Sequence, residues 1–151
     1  KEIKRAISAL IKIKTPYEII ENKTEEAKTI NKIWKKHYFE YEKIKSQAFQ
    51  LAEKGKPFVF KYKSKFSFSS ELANEMIYRF KNPLVIICRE KEQAYSCSLR
   101  TNLDIDLNKV LQMALVGTRG KGGGHERACG AQVPIESFEL FLKNLFSELK
   151  I

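Results

Sequence analysis

The residues best suited to chemistry lie in one stretch, GTRGKGGGHERACGAQVP, from Gly117 to Pro134. Five of the seven glycines fall between Gly117 and Gly124, and three of these run straight into His125, one of only two histidines. Glycine loses more conformational freedom on folding than any other residue, so such a run needs a compensating gain. Consecutive glycines let a backbone approach a ligand closely and turn successive N–H groups inward, which makes an anion-binding nest. His125 adds an imidazole donor, and Arg119, Lys121 and Arg127 surround it with positive charge. Residues 125–129 then read as little more than one helical turn capped by Gly130, so that Gly122, Gly123, Gly124 and His125 deliver an anion to a helix N-terminus. The plainer alternative is a flexible connection between a helix and a strand.

Spacing excludes two familiar phosphate loops. Gly117 to Gly122 has the four-residue gap of a P-loop, but Gly123 and Gly124 stand where Lys and Ser or Thr are required. A dinucleotide fingerprint started at Gly120 and Gly122 needs its third glycine where the chain has His125.

A second group supports the first. In YSCSLRT, strand alternation puts Tyr95, Cys97 and Leu99 on one face and Ser96, Ser98 and Arg100 on the other, each about 7 Å from the next. The first face is core. The second is either a solvated sheet face or, with Ser98 and Arg100, a contact surface for the same ligand as the glycine stretch.

The elements that must position these residues follow from the apolar pattern. Ile3, Ala6, Ile7, Leu10 and Ile11 predict a helix over the first fourteen residues. Pro16 breaks it, and a connection runs to Asn22. Thr24 caps a single long helix to Lys54, with Ile30, Trp34, His37, Tyr41, Ile44, Ala48 and Leu51 on its seam and Gly55 as C-cap. His37 carries no chemistry there, and Trp34 reads as a docking residue. Phe58–Tyr62 is a strand whose Phe58 and Phe60 face the core, while Phe66 and Phe68 lie beyond it as candidate contacts for bases. Ser69 or Ser70 caps the next helix, Leu84–Cys88 is a strand covered on both sides, and Ala94–Thr101 is its hairpin partner. Asp106 starts a short helix, residues 131–133 form a short strand, and residues 135–149 close the chain as a helix. The fold class is α/β (α+β mixed): a mixed sheet flanked by helices and preceded by a long connector helix, with a helical segment over 1–54 and a domain over 55–151.

Composition narrows the partners. The formal charge is +10, mostly from lysine, which fits either a lysine-rich solvated surface or polyanionic partners. No apolar run reaches membrane-spanning length, which leaves no membrane partner. Cys88, Cys97 and Cys129 form an odd count without CxxC spacing and read as reduced small hydrophobes in a cytoplasmic protein. The chain begins with Lys1, which suggests a piece of something longer.

A strand ending Ser98-Leu99-Arg100, then a helix, then Gly122-Gly123-Gly124-His125 and a small-residue turn resembles the DHH-associated C-terminal domain of the DHH phosphoesterase superfamily. The resemblance is specific over about 84–149 and looser over 58–80. That group includes RecJ-like single-strand nucleases, oligoribonucleases and cyclic-dinucleotide phosphodiesterases, with a related domain in alanyl-tRNA synthetases. The lysine- and isoleucine-rich composition suggests an archaeal member. The resemblance implies a substrate-gripping lobe for single-stranded nucleic acid or oligonucleotides. Gly122, Gly123, Gly124 and His125 would hold phosphate, with Ser98 and Arg100 beside them. It further implies a partner lobe, the N-terminal DHH catalytic lobe, that carries Mn2+. The family often has Ala-Ala-Gly where this chain has Ala128-Cys129-Gly130, a change small enough to keep the packing. No Asp-His-His occurs, so the resemblance implies no catalytic residue and no metal in this chain. Two other roles stay open: a module docking a replication protein such as GINS, and a lobe selective for dinucleotides.

Overall fold

The apolar pattern switches from helical spacing to alternation near Gly55, and the architecture follows that switch. A computed structural model describes residues 2–150. The chain divides into two compact units, Lys1–Ser46 and Gln47–Ile151.

The first unit contains α1 (Glu2–Lys12), α2 (Pro16–Glu21) and most of α3 (Glu25–Leu51). Pro16 does not break the chain into a connection, as its type alone suggests. It occupies the start of α2, where a missing N–H leaves no helical bond unmade. The Glu18 carboxylate accepts the N–H groups of Lys14 at 3.0 Å and Thr15 at 3.2 Å. Asn22 closes α2 in the left-handed conformation. Thr24 caps α3 as expected, its hydroxyl oxygen accepting Ala27 N–H at 3.1 Å. The helix stops at Leu51 rather than Lys54, and Gly55, with φ 77°, serves the following turn rather than the helix end. Trp34 stacks on Tyr38 with ring centroids 4.8 Å apart.

The second unit holds β1 (Phe58–Lys63), α4 (Ser69–Phe80), β2 (Leu84–Lys91), β3 (Ala94–Thr101), α5 (Leu107–Ala114), β4 (Lys121–His125), β5 (Ala128–Pro134) and α6 (Phe138–Leu149). The sheet order is β1-β2-β3-β5-β4. Only β1 and β2 are parallel, joined through α4; the other pairs are antiparallel. This is the mixed sheet with flanking helices that the sequence predicts.

Each face of the sheet has its own cover. On one, Leu84, Ile86, Leu99, Cys129 and Val133 pack in a core with Leu107 and Leu111 of α5 and Phe138, Phe141 and Leu145 of α6. On the other, Val85 and Ile87 share register rows with Phe58 and Phe60, all buried, and α4 contributes Leu72, Ala73 and Met76. Phe58 and Phe60 are therefore core residues. Ser69 is not a helix cap either: it lies inside α4, buried, and its hydroxyl meets Tyr62 Oη at 3.0 Å. Phe66 and Phe68 are half-buried against each other in the β1–α4 connection.

The cysteine expectation needs correction. The turn at Glu92 and Gln93 sets a register in which Cys88 lies directly across from Cys97, with Cα atoms 4.1 Å apart, and the two form a disulfide. Hairpin register, invisible in the spacing of nine, brings them together. Cysteine usage thus gives no argument for a reducing compartment. Cys129 is free and buried. No helix among the described residues is long and apolar enough to cross a membrane.

Asn82 joins the ends of three segments. It is fully buried, and its amide donates to the carbonyls of Glu53, at 2.9 Å, and Lys56. Its backbone carbonyl accepts Asn102 Nδ2 at 3.1 Å. Replacement by alanine removes both bonds: the Glu53 carbonyl keeps the Lys56 N–H at 3.4 Å, whereas the Lys56 carbonyl loses its side-chain donor. Asn82→Ala should lower the unfolding free energy by about 1–3 kcal/mol in urea titration, with an unchanged m-value.

Candidate functional site

The glycine stretch is a strand, not a nest. Lys121–His125 form β4, the sheet edge, paired residue by residue with β5 through Gly122 opposite Ala131, Gly123 opposite Gly130 and Gly124 opposite Cys129. Glu126 and Arg127 make the hairpin turn, so there is no helix at 125–129 and Gly130 caps nothing. Glycine has low strand propensity, which is why the run reads as a loop; close packing overrides that propensity here. A Cβ on Gly122 would lie 2.5 Å from the Gly130 carbonyl oxygen and 3.0 Å from Ala131 Cα. One on Gly124 would strike the Ala128 carbonyl and sit 2.7 Å from Cys129 Cα. Gly123 differs, since its nearest atom would be Asn108 Oδ1 at 3.7 Å. The outer edge is partly satisfied, with Gln112 Nε2 donating to Gly122 O at 3.2 Å.

Register places the polar residues on the sheet face that carries α4. Arg89, Ser96, Gln132 and Lys121 stand opposite one another across four strands, and Ser98 stands between Ile87 and Gly130 in the next row. These residues line an open groove of about 700 Å³ with Ser98, Gly122 and Gly130 on its floor. Gly130 is exposed, and a Cβ there would meet nothing closer than Cys97 O at 3.8 Å. Its bare backbone is therefore not required by packing. It leaves the groove floor open beside the Ser98 hydroxyl.

His125 lies elsewhere. It is exposed in a second hollow of about 560 Å³ with Asp106, Asn108, Gly124 and Arg127. Lys121 and His125 mark opposite ends of β4, about 13 Å apart at strand rise. The hairpin end is tied down by Cys129 Sγ, which donates to His125 O at 3.2 Å, and by Leu107 N–H, which donates to Glu126 O at 2.9 Å. Burial pushes the Cys129 thiol above its ordinary value, so it stays a neutral donor. Asp106, expected to start this helix, caps α5, and the Lys109 backbone N–H bound at 3.1 Å holds its carboxyl below the usual range.

The expected cations fare differently. Arg100 shares the groove face, but α4 holds its guanidinium: Nε donates to Asn74 Oδ1 at 2.7 Å and one terminal nitrogen to Ser70 Oγ at 3.2 Å. Burial lowers its pKa from the ordinary value. Arg127 is ion-paired with Asp104 at 2.9 Å, and Arg119 with Glu136. The structure thus gathers Ser98, Lys121 and Gly122, sets Gly124, His125 and Arg127 in the neighbouring hollow, and places Arg119 outside both. Sequence reasoning missed Arg89, Gln132 and the open role of Gly130. Arg89 had a signal, since strand parity from Val85 and Ile87 puts it on the same face as Ser96.

Residues 58–150, β1 through α6, match the family model of the DHHA1 domain. The chain belongs to the DHHA1 domain family. Its fold is that of RecJ from Thermus thermophilus, solved in complex with Mg2+ (TM-score 0.66, 12% identity, covering 83% of this chain and 20% of that one). It is similar to the C-Ala domain of Aquifex aeolicus alanyl-tRNA synthetase (TM-score 0.51, 17% identity, 62% of this chain and 89% of that one). It is also similar to the pGpG-specific phosphodiesterase PggH from Vibrio cholerae (TM-score 0.54, 14% identity, 85% and 44%). The chain spans about a fifth of the length of the Thermus RecJ. No match was found among curated proteins. Among the described residues, no group of three or more His, Cys, Asp or Glu side chains is placed to hold a metal ion.

The glycines of this DHHA1 domain should separate by role. Gly122→Ala and Gly124→Ala push β4 away from β5 and should each cost about 1–3 kcal/mol of stability. Gly123→Ala and Gly130→Ala should melt within a few degrees of the parent, as read by circular dichroism.

Proposed function

We propose that this chain carries the nucleic-acid-binding lobe of a RecJ-like DHH phosphoesterase, gripping single-stranded DNA or RNA through its phosphates. On this reading residues 1–54 are the helical connector and 55–151 the binding lobe. Membership in the DHHA1 domain family supports it. The observation that carries it is Gly130: an exposed glycine with room for a side chain, flooring a polar groove between the Ser98 hydroxyl and the edge strand. A phosphate oxygen can approach bare backbone there and accept from Ser98. His125 contacts the same strand further along the hairpin. Arg100, fixed by Asn74 and Ser70, acts as a positioned positive charge beneath this surface rather than a mobile clamp.

Hydrolysis belongs to a catalytic lobe outside this chain. The sequence offers two histidines, and the described residues include no cluster with the donors that two-metal chemistry requires. A solved exonuclease RecJ is bound to manganese, and manganese is the ion we assign to that lobe. On this reading the chain supplies the grip on the strand, and cutting is the work of that other lobe.

Fluorescence anisotropy with labelled single-stranded DNA and RNA across a salt series tests this. Gly130→Val fills the groove floor, and His125→Ala removes the hairpin donor. Each should weaken binding about tenfold or more at every salt concentration, while the parent affinity falls linearly in log–log form with salt. Equal binding by parent and variants would leave only a diffuse lysine field. Tighter binding of a dinucleotide than of long strands would instead assign the groove to small nucleotides.

A further inference from the structure

Arg89 is unlike the other arginines near the sheet. It follows five buried apolar residues on β2, is itself half-buried, and its Nε is buried with no hydrogen-bond partner among the described residues. Among the described residues its one hydrogen bond is a long one, from a terminal nitrogen to Lys65 O at 3.4 Å. The neighbouring carboxylate, Glu90, lies on the opposite face of the strand and pairs with Lys63 at 2.7 Å. Arg100, Arg119 and Arg127 are all held by protein side chains, whereas Arg89 faces the groove with no carboxylate paired to it among the described residues. Buried donors are normally bonded, and a desolvated cation without a partner is unfavourable until an anion arrives.

The residues across from it complete a site. Register puts Ser96, Gln132 and Lys121 opposite Arg89, one on each successive strand. The row thus has a guanidinium at one end, an ammonium at the other, and a hydroxyl and a carboxamide between them. Both ends are cationic and both middle groups can donate, which suits a phosphodiester that accepts only. This row lies two residues along β3 from Ser98, about 7 Å away. That distance is comparable with the advance of one nucleotide along an extended single strand.

We propose that the row Arg89–Ser96–Gln132–Lys121 is a second phosphate subsite, holding the phosphodiester next to the one on Ser98 and Gly130. It rests on the reading of the groove as a phosphate grip. The subsite makes the groove a reader of two consecutive phosphates, so it favours a linear strand over a mononucleotide.

Calorimetric titration of the full chain with three probes tests this: thymidine 5′-monophosphate, the 5′-phosphorylated linear dinucleotide pdTpdT, and cyclic di-GMP. Arg89→Ala and, separately, the exposed Lys121→Ala should each weaken pdTpdT about tenfold while leaving the mononucleotide unchanged. Gly130→Val should weaken both ligands, which separates the two subsites. The subsite is overturned if both charge variants bind pdTpdT as the parent does, or if they weaken mononucleotide and dinucleotide equally. An Arg89-dependent gain seen only with cyclic di-GMP would overturn the assignment to a linear strand. Should the parent bind none of the probes, the grip fails and the subsite with it. Lys121→Ala decides the matter alone if Arg89→Ala loses its folded circular dichroism spectrum.

Discussion

The close seating of β4 on β5 is the constraint on which the rest of the binding surface depends. Gly122 and Gly124 have no space for a Cβ against the backbone of β5, so the edge strand can lie there only because they are glycines. That seating carries Lys121 to the end of the polar row and Gly122 to the groove floor. It also sends the hairpin turn to the start of α5, where Leu107 N–H meets the Glu126 carbonyl. A strand with side chains at these two positions would have to move outward and take one wall of the groove with it.

The second organising feature is how positive charge is distributed. A net charge of +10 says little by itself, because most of the described lysines are exposed and can serve as a solvated surface. The arginines are more informative. Arg119 and Arg127 are neutralised by carboxylates, and Arg100 is bound by neutral groups of α4. Arg89 keeps a buried donor without a partner. A cation that the fold has partly desolvated and not paired favours an anionic ligand at a defined place, which a diffuse lysine field does not.

Much of this was legible in the sequence where local rules and tertiary packing agree. Period-two alternation placed Ser96, Ser98 and Arg100 on one face, and Thr24 as a cap and Asp106 as a helix start were readable because side-chain oxygens at those positions satisfy backbone N–H groups. The mixed sheet and the burial of Phe58 and Phe60 followed from patterning. What was not legible depended on partners distant in sequence. The glycine run reads as a loop because its propensity is against a strand, and only β5 explains it. The disulfide of Cys88 and Cys97 depends on hairpin register, and the retention of Arg100 by α4 depends on Asn74 and Ser70 from another element. Gly130 looked like a helix cap because no helix-independent reason for a glycine is visible without the groove.

The most direct test is a nuclear magnetic resonance titration of the isotope-labelled chain with a short 5′-phosphorylated single strand, following backbone amides. The groove account predicts saturable shifts concentrated at Ser96, Ser98, Gly122, His125 and Gly130, with the amides of α5 and α6 little changed. Shifts confined to the lysine-rich helices of the first unit, or scattered over the surface without saturation, would contradict it.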